Sequence, residues 1–152
     1  MTIPPHHRGA ALDSFPARST APAPVLDPAV RRKRVYIVDD HRFFVAGLSS
    51  LINHAADLEV CGSAPDGTHV VREVRRLHPD LVLMDIKLPG PNGLEVARGL
   101  RRMLGDIPIL FISSLAEPRL RERATRLGAL GFLEKTQEPA RILDGIRHAL
   151  GL

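Results

Sequence analysis

The sequence predicts an α/β protein in which a five-stranded parallel sheet is doubly wound, with helices on both faces. Five short, continuous apolar runs recur between residues 35 and 152, and such runs are what strands buried on both faces of a parallel sheet require. Each run is followed by a segment whose apolar residues repeat at helical spacing. The length of 152 residues suits one hydrophobic core rather than two. Strand and helix in strict alternation give parallel strands joined by helical crossovers.

The elements follow in order. Val35-Tyr36-Ile37-Val38 is the first strand, and Phe44, Leu48, Leu51 and Ile52 mark the apolar stripe of the first helix. Leu58 to Cys61 is the second strand; Gly62 and the Pro65-Asp66-Gly67 turn separate it from a helix carrying Val70, Val71, Val74 and Leu77. Pro79 ends that helix, because the residue before a proline is pushed out of the helical region. Leu81-Val82-Leu83-Met84 forms the third strand, the turn Leu88-Pro89-Gly90-Pro91-Asn92-Gly93 follows, and Leu94, Val96, Ala97, Leu100 and Leu104 mark the third helix. The fourth strand is Ile109 to Ile112 after Pro108, with a helix over about 117–127 behind it. The strand Leu130 to Leu133 and a helix from Glu138 to Leu150 complete the pattern.

Composition narrows the class. The chain is 44% hydrophobic, 4% aromatic and 25% charged, an ordinary globular balance. No apolar stretch approaches the roughly 20 residues that span a bilayer, so no membrane insertion is expected. One cysteine, Cys61, excludes a disulfide framework and a paired-cysteine metal knuckle; it is expected to be a small core residue in a reducing, cytoplasmic setting. The net charge of +4 is unevenly placed: residues 1–34 hold six basic side chains against two acidic, while residues 35–152 are balanced at 15 of each. The folded part therefore carries no general basic excess, and direct nucleic-acid binding by this chain is not expected. Residues 1–34, with six of the 13 prolines and no apolar periodicity, are expected to be a disordered tail ahead of a domain over 35–152. The run Arg31-Arg32-Lys33-Arg34 is expected to be a solvated boundary before the first strand. Arg119, Arg121, Arg123 and Arg126 make the fourth helix basic, as a solvated face or part of a docking surface.

In open parallel sheets the chemistry lies outside the carboxyl ends of the strands. The residues there are Asp39 and Asp40 after strand one, Asp85 after strand three, Ser113 and Ser114 after strand four, and Glu134 and Lys135 after strand five. Taken singly, an acidic pair after a strand is as readily a helix cap, and a lone lysine is a surface charge. Together, three carboxylates at one edge repel one another unless a cation neutralises them. Mg²⁺ fits, because it takes hard oxygen ligands and bridges carboxylates to phosphoryl oxygens. Lys135 adds a compact positive charge and Ser113 a hydroxyl donor, a set suited to phosphoryl transfer onto a carboxylate. Seven scattered histidines show no zinc-ligand spacing.

Three segments, Val35 to His41, Pro79 to Gly93 and Gly128 to Lys135, closely resemble the receiver domain of two-component response regulators. The Asp39-Asp40-His41 opening and the segment Gly128 to Lys135 are most similar to receivers of the NarL/LuxR-type branch. The resemblance implies a CheY-like, flavodoxin-like sheet of order 2-1-3-4-5 and makes Asp85 the phospho-acceptor. It further implies Mg²⁺ held by Asp40 directly, by Asp39 largely through water, by Asp85 and by the backbone carbonyl of Lys87. Ser113 and Lys135 would contact the phosphoryl group. Phe132, three residues before the lysine, would be the switch aromatic, moving inward as Ser113 moves. The implied partners are a sensor histidine kinase or histidine phosphotransfer protein and a downstream protein, with a possible homodimer. Such a chain is a phospho-acceptor that assists its own phosphorylation and dephosphorylation rather than an enzyme with a separate substrate.

NarL/LuxR-type receivers usually carry a C-terminal helix-turn-helix, and none follows the last helix before Leu152. Output is therefore expected through protein binding or phosphate relay. The alternatives are the isolated receiver of a DNA-binding transcription factor and an unphosphorylated interaction scaffold. A phosphohydrolase would need a second aspartate at position 87, where Lys87 stands, and a cap over the site. A flavodoxin-like mononucleotide binder would need a phosphate loop where Asp39 and Asp40 repel phosphate.

Overall fold

The computed structural model describes residues 31–115 and 117–152; the expected tail lies, through residue 30, outside the described residues. The elements are β1 (Lys33–Val38), α1 (Arg42–His54), β2 (Leu58–Ala64), α2 (Val70–Leu77), β3 (Leu81–Asp85), α3 (Gly93–Leu104), β4 (Ile109–Ser113), α4 (Pro118–Arg126), β5 (Gly131–Glu134) and α5 (Pro139–Leu150). All strands pair in parallel in the order β2-β1-β3-β4-β5, the expected doubly wound sheet. The continuous apolar runs are explained by two cores. Val35 and Ile37 point to one face, with Leu48 and Ile52 of α1 and Ile142 and Ile146 of α5. Tyr36 and Val38 point to the other, with Val70 and Val74 of α2, Leu94, Val96, Ala97 and Leu100 of α3, and Ala124 of α4. Each fully buried large aliphatic side chain contributes roughly 1.5–3 kcal/mol over its exposed state.

Two strand boundaries differ from expectation by two or more residues, each for a physical reason, and β3, β4 and β5 each end one residue later than expected. β2 runs on to Ala64, so Gly62 lies inside the strand rather than ending it. A Cβ at Gly62 would sit 2.9 Å from the Tyr36 ring, and the β1–β2 register shifts between Val35 and Tyr36; the glycine admits the ring at a bulge. Cys61, expected in the core, is half-buried in this edge strand, with its Sγ 3.4 Å from the Val35 carbonyl.

The second difference is at the start of β1, which takes in Lys33 and Arg34. Arg32 and Arg34 of the basic run are tied down, while the Arg31 side chain stays mostly exposed. Arg32 donates to the carbonyls of Asn53 and Ala55 at 2.9 and 3.0 Å, at the C-terminal end of α1, and Arg34 donates to the carbonyl of Leu77, the last residue of α2. Helix C-termini leave carbonyls without partners and carry partial negative charge, which guanidinium groups satisfy.

Candidate functional site

The loops at the carboxyl ends of β1, β3, β4 and β5 bring the predicted side chains together. Asp39 follows β1 and Asp85 ends β3; they are 3% and 2% exposed, whereas Asp40 and His41 are exposed. Lys135, just after β5, reaches between the buried pair. Its Nζ donates to Asp85 Oδ2 at 2.8 Å and lies 2.6 Å from Asp39 Oδ2. The lysine ammonium sits over the Phe44 ring, 4.9 Å from the ring centroid. Backbone pairing of β4 with the end of β5 fixes this approach, because Lys135 N–H donates to the Ser113 carbonyl at 2.9 Å.

The charge balance is incomplete. Two buried carboxylates and the neighbouring Asp40 face one ammonium group, and buried Asp39 Oδ2 has no hydrogen bond despite its closeness to Lys135. Burial pushes the Asp85 carboxyl above its ordinary pKa; the Lys135 contacts oppose that shift and the Asp39 charge adds to it. One ligand atom from each of Asp39, Asp40, His41 and Asp85 lies within 4.8 Å of the others. The three carboxylates of this set, gathered around one ammonium, supply the hard oxygens that fit a divalent cation such as Mg²⁺.

The remaining predicted residues are distributed around this centre. Lys87 has an exposed side chain, and its backbone N–H donates to Asp85 Oδ1 at 3.2 Å. Ser113 is fully buried, and its hydroxyl accepts from the Leu115 N–H at 3.3 Å. Phe132 is half-buried outside the carboxylate cluster, its ring 4.8 Å from the Arg121 guanidinium, beside a cavity of about 180 Å³ lined by Ala124, Thr125 and Ala129.

Two positions were not singled out from the sequence. His41 Nδ1 lies 3.3 Å from carboxylate oxygens of both Asp39 and Asp40, and its backbone N–H donates to Asp39 Oδ1 at 2.8 Å. Its only signal was adjacency to the acidic pair. Gly93 opens α3, where a Cβ would sit 2.0 Å from the Asp85 carbonyl oxygen. The Asn92–Glu95 capping box starts α3 beside that glycine, so the helix presses against the backbone that carries Asp85.

The response regulator receiver domain family model matches residues 35–147. This chain belongs to the response regulator receiver family. The receiver is 36% identical over 116 residues to the transcriptional regulatory protein LiaR of Bacillus subtilis, covering 76% of this chain and 55% of LiaR. It is 33% identical over 113 residues to the response regulator UvrY of Escherichia coli, covering 74% of this chain and 52% of UvrY. The chain thus spans about half the length of these curated relatives. Among solved structures, the receiver superposes on a LuxR-family response regulator from Aurantimonas sp. SI85-9A1 with a TM-score of 0.76 at 31% identity, covering 80% of this chain and 86% of that one. On the response regulator domain of Thermotoga maritima CheB the TM-score is 0.73 at 30% identity, covering 80% and 98%. Among the described residues of this receiver no helix is long and apolar enough to cross a membrane.

Proposed function

We propose that this receiver is a phosphorylation-driven switch of a cytoplasmic two-component system, in which Asp85 accepts the phosphoryl group of a phosphohistidine. The observation that carries the reading is the buried Asp85 carboxylate held at 2.8 Å by Lys135 beside Asp39 and Asp40. An Asp85 oxygen attacks phosphorus, the phosphorus–nitrogen bond to the donor imidazole breaks, and an acyl phosphate forms. Lys135 moves from Asp85 toward the added phosphoryl oxygens and stays charge-paired. Asp39, Asp40, Asp85 and the Lys87 carbonyl are the residues that would hold Mg²⁺; bound there, the ion neutralises the charge gathering on the transferred group.

The donor would be a sensor histidine kinase or a histidine phosphotransfer protein. A mostly apolar groove of about 580 Å³, lined by Phe43, Phe44, Leu48, Leu51, Ile142 and Lys135, leads from the α1–α5 side to the lysine and suits an apolar helical face of that donor. On the output side, Ser113 gives up its Leu115 contact to reach the phosphoryl group and Phe132 moves inward, changing the surface of α4, β5 and α5. That surface would bind a downstream protein, relay phosphate or form a homodimer. A second reading of the output, as the receiver module of a transcription regulator, is supported by the half-length match to LiaR.

The test is intact mass after incubation with acetyl phosphate or phosphoramidate and Mg²⁺, with and without a chelator. One metal-dependent phosphate adduct is expected, absent in Asp85→Asn. Equal labelling of that variant overturns the acceptor assignment, and no adduct on folded protein favours the unphosphorylated scaffold. Lys135→Ala is expected to retain some labelling while losing the surface change, read from amide chemical shifts in α4 and β5.

A further inference from the structure

The positive charge of the folded part is concentrated on two neighbouring helices. α3 carries three arginines against one glutamate, and α4 four against one, although residues 35–152 as a whole are balanced. Some of that charge is engaged: Arg101 donates to the Gly128 carbonyl at 2.6 Å, and Arg121 pairs with Glu134 at 2.8 Å. Between the helices lies a cavity of about 200 Å³ lined by Arg98, Arg123, Arg126, Leu94 and Leu127. Among the described residues, neither Arg98 nor Arg123 has a carboxylate oxygen within 4.0 Å, while Arg126 has only the exposed Glu122 one turn away.

We propose that this α3–α4 cleft is a second anion site, which takes the phosphate group of a small soluble phosphate ester or anhydride. Three arginines line one cavity and only Arg126 has a carboxylate partner, so the cleft holds an excess of positive charge that an entering anion offsets. A phosphate brings three terminal oxygens and close to two negative charges to this cluster, whereas a carboxylate brings two oxygens and one charge and is satisfied by a single bidentate arginine. Leu94 and Leu127 give the cleft an apolar wall, which strengthens each charge interaction relative to open water. The cavity is below the roughly 300 Å³ at which pockets for whole organic ligands begin, so the phosphate enters and the remainder of the molecule stays outside. The site is built from α3 and α4 and uses none of Asp39, Asp40, Asp85 or Lys135, so it is independent of the acceptor carboxylate.

The test is a titration of the labelled protein with inorganic pyrophosphate, followed by amide chemical shifts in magnesium-free buffer at constant ionic strength. Saturable shifts are expected around Arg98 and from Arg123 to Leu127, without matching shifts beside Asp85 and Lys135. Affinity should fall about tenfold or more in Arg98→Gln/Arg123→Gln and stay unchanged in Arg75→Gln, an exposed α2 control. These arginines are exposed, so the variants are expected to fold, which their spectra report directly. Four results would overturn the proposal: no saturation, shifts that survive the double substitution, equal binding of citrate, or tighter binding of oligothymidylate per phosphate with shifts spread over the whole basic face.

Discussion

At the N-terminal edge of the sheet, every basic side chain from Arg31 to Arg34 meets a carbonyl or a carboxylate, although Arg32 Nε is left without a hydrogen bond, while at the C-terminal edge Lys135 is shared between two buried carboxylates. Asp80 takes the Arg34 backbone N–H at 2.7 Å and lies within ion-pair distance of Arg31 and Lys33. Arg32 and Arg34 bond the ends of α1 and α2. Arg147 of α5 grips Asp57, just ahead of β2, through two parallel contacts of 2.8 and 2.9 Å. At the other edge, Asp39 and Asp85 crowd one ammonium and an Asp39 oxygen is left without a hydrogen bond. Charge at the first edge closes helix ends and joins elements; at the second it is left unbalanced, ready for a cation or an incoming phosphoryl group.

Removing a cation should therefore cost stability at both edges, whereas removing a carboxylate from the crowded edge should restore some. The largest effect is expected for Lys135→Ala in magnesium-free buffer, where removing the contacting ammonium leaves two buried carboxylates facing each other. A loss of about 3 kcal/mol by urea unfolding is expected, with part regained on adding Mg²⁺; a loss too small to resolve would show that the carboxylates are not strained. Next is Arg32→Ala, which strips two α1 carbonyls of a charged donor and is expected to cost about 1.5 kcal/mol. An unchanged urea midpoint there would return the basic run to a solvated role. Asp85→Asn should instead raise stability, by about 1 kcal/mol, because it relieves repulsion that function requires. Destabilisation by Asp85→Asn would mean that the Lys135 pair outweighs burial.

The sequence makes the functional edge more legible than the scaffold edge. The central strands β1, β3 and β4 are readable because residues such as Val35 to Val38 are buried on both faces, so apolar character alone reports them. Asp39, Asp40, Asp85, Ser113 and Lys135 are readable because parallel strands place whatever follows each run at one edge. Lys33 and Arg34 are not readable as strand, since their backbones pair while their charged heads reach the rim. Gly62 reads as a breaker, and only the Tyr36 ring beside it explains why the strand continues. His41 lacks any spacing pattern, and its contacts depend on how the loop after β1 turns. Nor does sequence spacing alone reveal that Arg98 and Arg123 share one cavity, because α3 and α4 are separated by β4.

The smallest effect sharpens the comparison through pH. The Arg147 guanidinium beside Asp57 holds its carboxyl below the usual carboxylate range. A group with a depressed folded pKa contributes stability above its unfolded pKa and loses it as pH falls through the folded value. Asp57 is partly exposed, so Arg147→Ala should cost no more than about 1 kcal/mol at neutral pH. Its stability curve should converge on the unsubstituted one once acid has protonated Asp57 in both. Asp85 has the opposite sign: its pKa is raised by burial, so protonation favours the folded state and stability is lost as pH rises through the folded value. On acidification from neutral pH, Asp85 is therefore expected to protonate before Asp57. Urea midpoints across that range should first gain the Asp85 contribution, absent in Asp85→Asn, and at lower pH lose the Asp57 contribution, absent in Arg147→Ala. Parallel curves for all three proteins would remove the distinction between the edges, because the charges at both would then be equally balanced.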